Sequence, residues 1–139
     1  SFGQNAFCGS RWGWWMDYTT CCTSNLSGMD LGISPLQVGL AASFSVTGAL
    51  PSESVTIYRS SKPIVMGGGF FSPTFGATVL DIQAPLGRVG AVTTDANGVA
   101  VLNLTIPASA PVGLLMAFQA VALRTPNAAA SNAVYARLQ

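Results

Sequence analysis

Three cysteines, Cys8, Cys21 and Cys22, have the clearest capacity for covalent chemistry in this chain of 139 residues. An oxidising compartment would pair two of them, and a bridge from Cys8 to either partner closes a loop of about 14 residues. The chain-entropy estimate for such a bridge is a stabilisation of about 3 kcal/mol. The odd number leaves one thiol, which stays free and buried or bridges to another chain. A strained bond between Cys21 and Cys22 is the third alternative.

The segment RWGWWMDYTTCC (residues 11–22) also contains all three tryptophans of the chain. With the strand period of two, four large side chains share one face: Trp12, Trp14, Met16 and Tyr18. Trp15 lies on the opposite face. Main-chain bonds to an exposed sheet edge, with alternate side chains in pockets, would let this ridge bind as an added strand. Alternatively, the arm caps its own core, or its rings form a platform for sugars.

The composition argues against catalysis and metal binding. The chain has no histidine, which removes Ser–His and Cys–His pairs and the commonest zinc ligand. Its five acidic residues are scattered along the sequence and indicate no carboxylate pair. Asp95 and Asn97 could offer oxygen atoms to calcium, but a calcium loop carries more acidic ligands, so we favour a hydrogen-bonded turn. We predict no catalytic residue, no cofactor and no metal site, and hence a protein that is not an enzyme.

The chain is poor in charge, with 8% charged residues, 50% hydrophobic residues and a net charge of +1. An average soluble domain has about 25% charged residues, so repulsion between copies is weak and favours self-association. Scattered cations form no basic patch, which argues against nucleic acid as a partner. The longest apolar run, residues 112–123, is shorter than the roughly 20 residues of a membrane helix. The start at Ser1 suggests a mature product after removal of a signal peptide.

From about residue 32 onward, short apolar alternations between turn residues predict strands. They lie at residues 43–47, 54–58, 79–82, 89–94, 99–106, 114–123 and 133–138. The spacing predicts an all-β, immunoglobulin-like β-sandwich of about seven or eight strands. We divide the chain into a disulfide-containing N-terminal arm (1–31) and the sandwich domain (32–139).

Three local features of this region carry further predictions. The turn DANG at residues 95–98 predicts a hairpin between its flanking strands. The run 114–123 suits a strand buried on both faces, with Gln119 as a buried amide that bonds the backbone of an adjacent loop. Residues 63–76 (PIVMGGGFFSPTFG) lack the Gly-Lys-Ser/Thr of a phosphate loop and predict a long loop anchored by aromatic rings: Phe70, Phe71 and Phe75.

Three segments resemble a known domain: TTDANGVAVLNLTIP (93–107), GLLMAFQAVAL (113–123) and SNAV (131–134). The domain is an immunoglobulin-like β-sandwich of secreted proteins from planctomycete and myxobacterial-type bacteria, with a Thr-Asp-x-x-Gly hairpin and a closing Ser-Asn-Ala strand. The resemblance covers about residues 36–139. It implies a sandwich fold in a secreted bacterial protein but no activity, because the family is defined by its scaffold.

Together these observations predict a structural subunit of a secreted extracellular filament or surface layer that assembles from copies of itself. We expect inter-subunit contacts from aromatic and large apolar side chains: Trp12, Trp14, Trp15, Met16, Tyr18, Phe70 and Phe71. The alternative is a cell-surface adhesion or carbohydrate-binding module that binds surface glycans through the Trp-rich arm. Asn25 and Asn103 match the N-glycosylation pattern.

Overall fold

The fold is described from a computed structural model, which describes residues 28–65 and 68–139. The described part holds nine strands: β1 (Asp30–Ile33), β2 (Ala41–Thr47), β3 (Ser54–Ser60), β4 (Phe70–Phe71), β5 (Val79–Leu80), β6 (Gly87–Thr93), β7 (Ala100–Thr105), β8 (Leu115–Ala122) and β9 (Ala129–Arg137). The described part also contains a short 3-10 helical turn at Pro73–Phe75. The all-β prediction is confirmed, while the cysteines of the predicted disulfide lie outside the described residues.

Two antiparallel sheets pack face to face, with strand orders β1-β2-β7 and β6-β3-β8-β9. The sheets pack in this way because one face of each strand is apolar. Along β2, Ala42, Phe44 and Val46 are buried, while the serines between them are partly exposed. The Phe44 ring meets Phe118 of the other sheet edge to face at 5.2 Å. This interdigitation of inner faces confirms the predicted β-sandwich. β1 begins at Asp30, and the boundary between arm and sandwich domain stays a prediction.

Strand β8 is buried on both faces, as its apolar run, interrupted only by Gln119, predicts. Phe118 and Ala120 face the core between the sheets, whereas Ala117 and Val121 face a second apolar cluster outside it. The second cluster forms because residues 61–65 and 68–86 cross the outer face of β8 and β9. Within this excursion, residues 63–76 were predicted as a loop, but β4 and the 3-10 turn lie in that range.

The run at 79–82 was predicted as a strand of the sandwich, and this is wrong. Its residues Val79 and Leu80 pair with Phe71 and Phe70 in a separate two-stranded sheet. Leu80 and Ile82 are fully buried in the outer cluster. Apolar alternation therefore identified a buried segment but not the sheet to which it belongs.

Gln119 is the polar residue of β8 that bonds this outer layer. Its Oε1 accepts a hydrogen bond of 2.9 Å from the Asp81 amide, and its Nε2 donates to the Ser131 carbonyl at 2.7 Å. The side chain is 1% exposed, so these partners replace the water that burial removes. The prediction of a buried amide that bonds an adjacent loop is confirmed.

The turn predicted at residues 95–98 is confirmed. The prediction that its two flanking strands pair with each other is wrong. Gly98 adopts φ +75, and a Cβ there would lie 1.9 Å from the Ala49 carbonyl oxygen, so only glycine fits. The strands on either side join different sheets: β6 pairs with β3, and β7 pairs with β2. Each strand has one apolar face, and the two faces meet across the core rather than lying side by side in one sheet.

On one side of the sandwich, an asparagine amide joins the edge strands of the two sheets, and backbone bonds between residues 36–38 and Gln139 lie on the same side. Asn132 of β9 accepts from the Leu31 amide at 2.8 Å and donates to the Leu31 carbonyl at 3.2 Å, which joins the edge strands of the two sheets. The neighbouring Ser131 hydroxyl accepts from the Ala120 amide at 2.9 Å, where the β8–β9 register shifts. Side chains thus supply the bonds that the backbone ladder lacks at this position.

We predict that Asn132→Ala lowers the free energy of unfolding by about 2 kcal/mol, because it leaves a buried amide and carbonyl of Leu31 without partners. Asn103→Ala is the matched control, since Asn103 is exposed and its side chain bonds only the Ser43 hydroxyl among the described residues. That change should cost about 0.5 kcal/mol or less. Urea unfolding measures both, and equal losses would contradict the role assigned to Asn132.

Among the described residues, Glu53 and Arg124 form an ion pair. Glu53 immediately precedes β3, and Arg124 lies just after β8. The guanidinium donates from Nε to Oε2 at 2.7 Å and from Nη2 to Oε1 at 2.8 Å. These hydrogen bonds, helped by one from the Leu50 amide, hold the pKa of the Glu53 carboxyl below its ordinary value. The folded pKa is therefore lower than that of the unfolded chain, and the pair stabilises the fold where the carboxylate is ionised.

We predict that Glu53→Gln destabilises the fold by about 1 kcal/mol at neutral pH, because it removes a bidentate, partly buried pair. The contribution is complete above the unfolded pKa of about 4.3 and disappears as the pH falls through the lowered folded pKa. Urea unfolding at neutral pH and at about pH 3 should show the difference between variant and wild type shrinking. Arg124→Gln should share the loss, and a difference independent of pH would exclude the carboxylate as its cause.

Candidate functional site

The side of the sandwich opposite Asn132 is open. β6 and β7 are edge strands, and no strand of the described residues pairs with their outer edges. Their inward side chains are packed against the core yet only partly buried: Val89, Val92, Leu102 and Leu104. An exposed edge beside an incompletely covered core is a template on which another strand can pair.

A cavity of about 300 Å³ opens at the end of the sandwich where β6 begins and β7 ends. Both sheets and the 107–114 connection line it, and its apolar wall includes Leu36, Phe44, Val89, Leu104, Ile106, Ala110, Met116 and Phe118. Small-molecule sites span roughly 300–1,000 Å³, so this volume is at their lower limit. The cavity suits a few large apolar side chains better than a bulky ligand.

The rim of the cavity carries two exposed arginines, Arg59 and Arg88. The Arg59 side chain crosses the backbone of β6, since a Cβ on Gly87 would lie 2.5 Å from its Nε. Within the described part of the chain, neither guanidinium forms an ion pair. The site therefore combines an apolar interior with a cationic mouth.

Close approach of β6 and β7 at mid-strand determines at which end of the sandwich the cavity opens. A Cβ on Gly90 would lie 2.8 Å from the Leu102 Cδ2, so little space remains between β6 and β7 at mid-strand. Beyond this point, towards Arg88 and Leu104, the strands border the open cavity. The cavity is thus accessible from the end of the sandwich that carries the arginines.

The polypeptide enters the sandwich at the other end. Asp30 pairs with Thr47, and the space for a Cβ on neighbouring Gly48 is occupied by the Gly28 carbonyl. Ala41, at the opposite end of β2, pairs with Thr105 beside the cavity. The seven residues of β2 separate the two ends by about 20 Å at roughly 3.3 Å per residue.

The cysteines predicted to pair, Cys8, Cys21 and Cys22, lie outside the described residues. So do five of the seven predicted contact residues: Trp12, Trp14, Trp15, Met16 and Tyr18. Of the two that are described, Phe70 packs on Phe75 with ring centroids 6.2 Å apart, in the outer cluster. Phe71 is 60% exposed and presents its ring to solvent. Sequence reasoning missed the cavity, whose only local signal was the inward alternation of β6 and β7.

Two of the acidic residues considered for calcium or catalysis, Asp81 and Asp95, have structural partners. The Asp95 carboxylate accepts from the amides of Asn97 and Val99 within its turn, as predicted. Asp81 is buried, with an oxygen 3.4 Å from the Gln119 Nε2. The described residues contain no group of three or more potential metal ligands. They also contain no helix of the length and apolarity needed to span a membrane.

The sequence matches no protein-family model and no curated protein. Solved structures with a similar fold include an AA10 lytic polysaccharide monooxygenase from Streptomyces lividans, at 11% identity and a TM-score of 0.40. Others are a polysaccharide monooxygenase CBM33 (16%, 0.42) and a chitin binding domain from Burkholderia pseudomallei (12%, 0.41). The matches cover 76% of this chain and 57 to 60% of those chains, so this chain spans less than two thirds of their length. With TM-scores below 0.5 and identities of 11 to 16%, these matches support no conclusion about this chain, and the substrates in those names belong to those proteins.

Proposed function

We propose that this protein is a structural subunit of a secreted bacterial assembly, in which copies join head to tail. The observation that carries the proposal is the polarity of the sandwich. The chain enters at one end, beside Gly28 and Gly48, while the apolar cavity opens at the other end between two edge strands. A contact between two different surfaces of the same subunit repeats into a filament unless its rotation closes a ring.

The composition supports this proposal independently. A net charge of +1 and 8% charged residues leave copies little mutual repulsion. The edges of β6 and β7, which pair with no other strand of residues 28–65 and 68–139, offer backbone groups for association. Secretion agrees with the resemblance of residues 36–139 to domains of secreted bacterial proteins. The proposal assigns no reaction to the protein, because the sequence contains no histidine and Glu53, Asp81 and Asp95 all have structural partners.

We predict that the full-length protein forms larger species as its concentration rises, because a heterologous contact obeys mass action. Sedimentation velocity over about a hundredfold range of concentration measures the growth, and negative-stain microscopy shows whether the products are filaments or rings. Non-reducing electrophoresis beside the reduced sample separates covalent from non-covalent contacts. A single monomeric species at every concentration would refute the proposal.

Carbohydrate binding is a second candidate, and the exposure of Phe71 favours it. A ring that is 60% exposed on the outer layer, beside the partly exposed Ser72 and the exposed Thr74, offers an apolar face with hydroxyls at its border. Exposed apolar groups rimmed by polar ones are typical of interaction sites. The Trp-rich arm would add further rings.

If Phe71 contacts sugars, Phe71→Ser should lower retention on a responding polysaccharide by about tenfold, which corresponds to about 1.4 kcal/mol of lost contact. A glycan array on the wild-type protein identifies the polysaccharide. Val101→Ser is the matched control, because Val101 is 47% exposed on β7, away from the outer layer. Equal binding by the two variants, or an array without any response, would remove this candidate.

A further inference from the structure

We infer that the cavity between β6 and β7 is the acceptor site for residues 12–18 from the N-terminal arm of a second copy of this chain. The inference rests on the proposed head-to-tail assembly and names the surface that makes it. The bound segment would add as a strand beside the open edges and place its alternate side chains inside. The acceptor is defined here by Val89, Leu104, Ala110 and Met116 inside and by Arg59 and Arg88 at the rim.

The first support is a match of shape and polarity. The cavity has an apolar interior, and the edges of β6 and β7 carry backbone groups without strand partners in the described residues. Residues 12–18 alternate, with Trp12, Trp14, Met16 and Tyr18 on one strand face. Strand addition combines backbone hydrogen bonds with every second side chain in a pocket, so this face would enter the cavity.

The second support is charge. Arg59 and Arg88 are exposed at the mouth and form no ion pair within the described residues. Asp17 is the one acidic residue among residues 1–27, and it lies on the strand face opposite the ridge. When the ridge points into the cavity, Asp17 faces outward at the rim, where the arginines are.

The third support is chain direction and reach. β1 runs from the entry end towards the cavity end, so the described chain begins at the end of the sandwich that is remote from its own cavity. A copy stacked on the entry end presents its cavity to this arm. The ten residues from Tyr18 to Gly28 span at most about 35 Å, which is ample for a neighbour in contact. Return to the same subunit's cavity requires the arm to reverse and pass about 20 Å back along the sandwich.

The test is a complementation between two full-length variants. Trp12→Ser with Trp14→Ser removes the donor and leaves the cavity intact, whereas Ala110→Phe fills the cavity and leaves the donor intact. We expect each variant alone to stay monomeric and their mixture to stop at a one-to-one heterodimer, measured by sedimentation velocity. Ala108→Phe, on an exposed residue of the same connection, should assemble like the wild type. Val89→Phe fills the same cavity from β6 and guards against a folding defect of Ala110→Phe, with circular dichroism as the check.

Intrinsic fluorescence identifies the occupant, because all three tryptophans lie in residues 12–15. We expect the wild-type emission to shift to longer wavelength on dilution, as the arms leave the cavities of their neighbours. Emission that is blue-shifted and independent of concentration would show that the arm occupies its own subunit, which overturns the inference.

Charge exchange at the rim gives a separate readout. Arg88→Glu should weaken assembly about tenfold, and Asp17→Lys in the same chain should recover most of it. Continued polymerisation of both the donor-defective and the cavity-filled variants would overturn the acceptor site while leaving head-to-tail assembly standing. A wild-type chain that never assembles would refute the proposed function itself.

Discussion

Burial of β8 on both faces is the constraint on which the rest of the structure depends. A strand in a two-layer sandwich normally has one face in the core and one in solvent. Here Ala117 and Val121 require a second cover, which residues 61–65 and 68–86 provide. Covering them also removes Gln119 from water, so the amide must find partners in the same layer. Its bonds to Asp81 and Ser131 attach the excursion to β8 and give the outer layer a fixed register.

The sandwich is asymmetric because, among the described residues, hydrogen bonds join the edge strands of the two sheets on one long side but not on the other. On one side, Asn132 joins β9 to β1 with two hydrogen bonds, and that edge is closed. On the other side, the turn at residues 95–98 sends β6 and β7 into different sheets, and they separate towards their far ends. The apolar side chains there stay partly uncovered, and the core ends in a cavity. An exposed edge of this kind promotes association with other chains. It is unfavourable in a protein that must remain monomeric and useful in one that assembles.

Several polar side chains of the described residues have structural partners. Glu53 pairs with Arg124, Asp95 organises its turn, and Asn132 and Gln119 replace missing backbone bonds. The arginines at the cavity rim differ, because they carry charge at the mouth of an apolar site and form no ion pair in the described part of the chain. Recognition by shape and a few charges is consistent with a subunit whose surfaces meet other copies.

Sequence alone was sufficient for features that depend on near neighbours. The period of two located most strands, and the DANG turn required the glycine at position 98. The largely apolar run of 114–123 implied a cover on each face, with Gln119 as a satisfied amide. Each follows from residues a few positions apart. The tertiary structure decided which sheet a strand joins: β6 and β7 parted, β5 left the sandwich for β4, and Asn132 reached Leu31 across 101 positions. Alternation says which face of a strand is apolar but not which surface covers it, and among the described residues one edge beside the cavity was left uncovered.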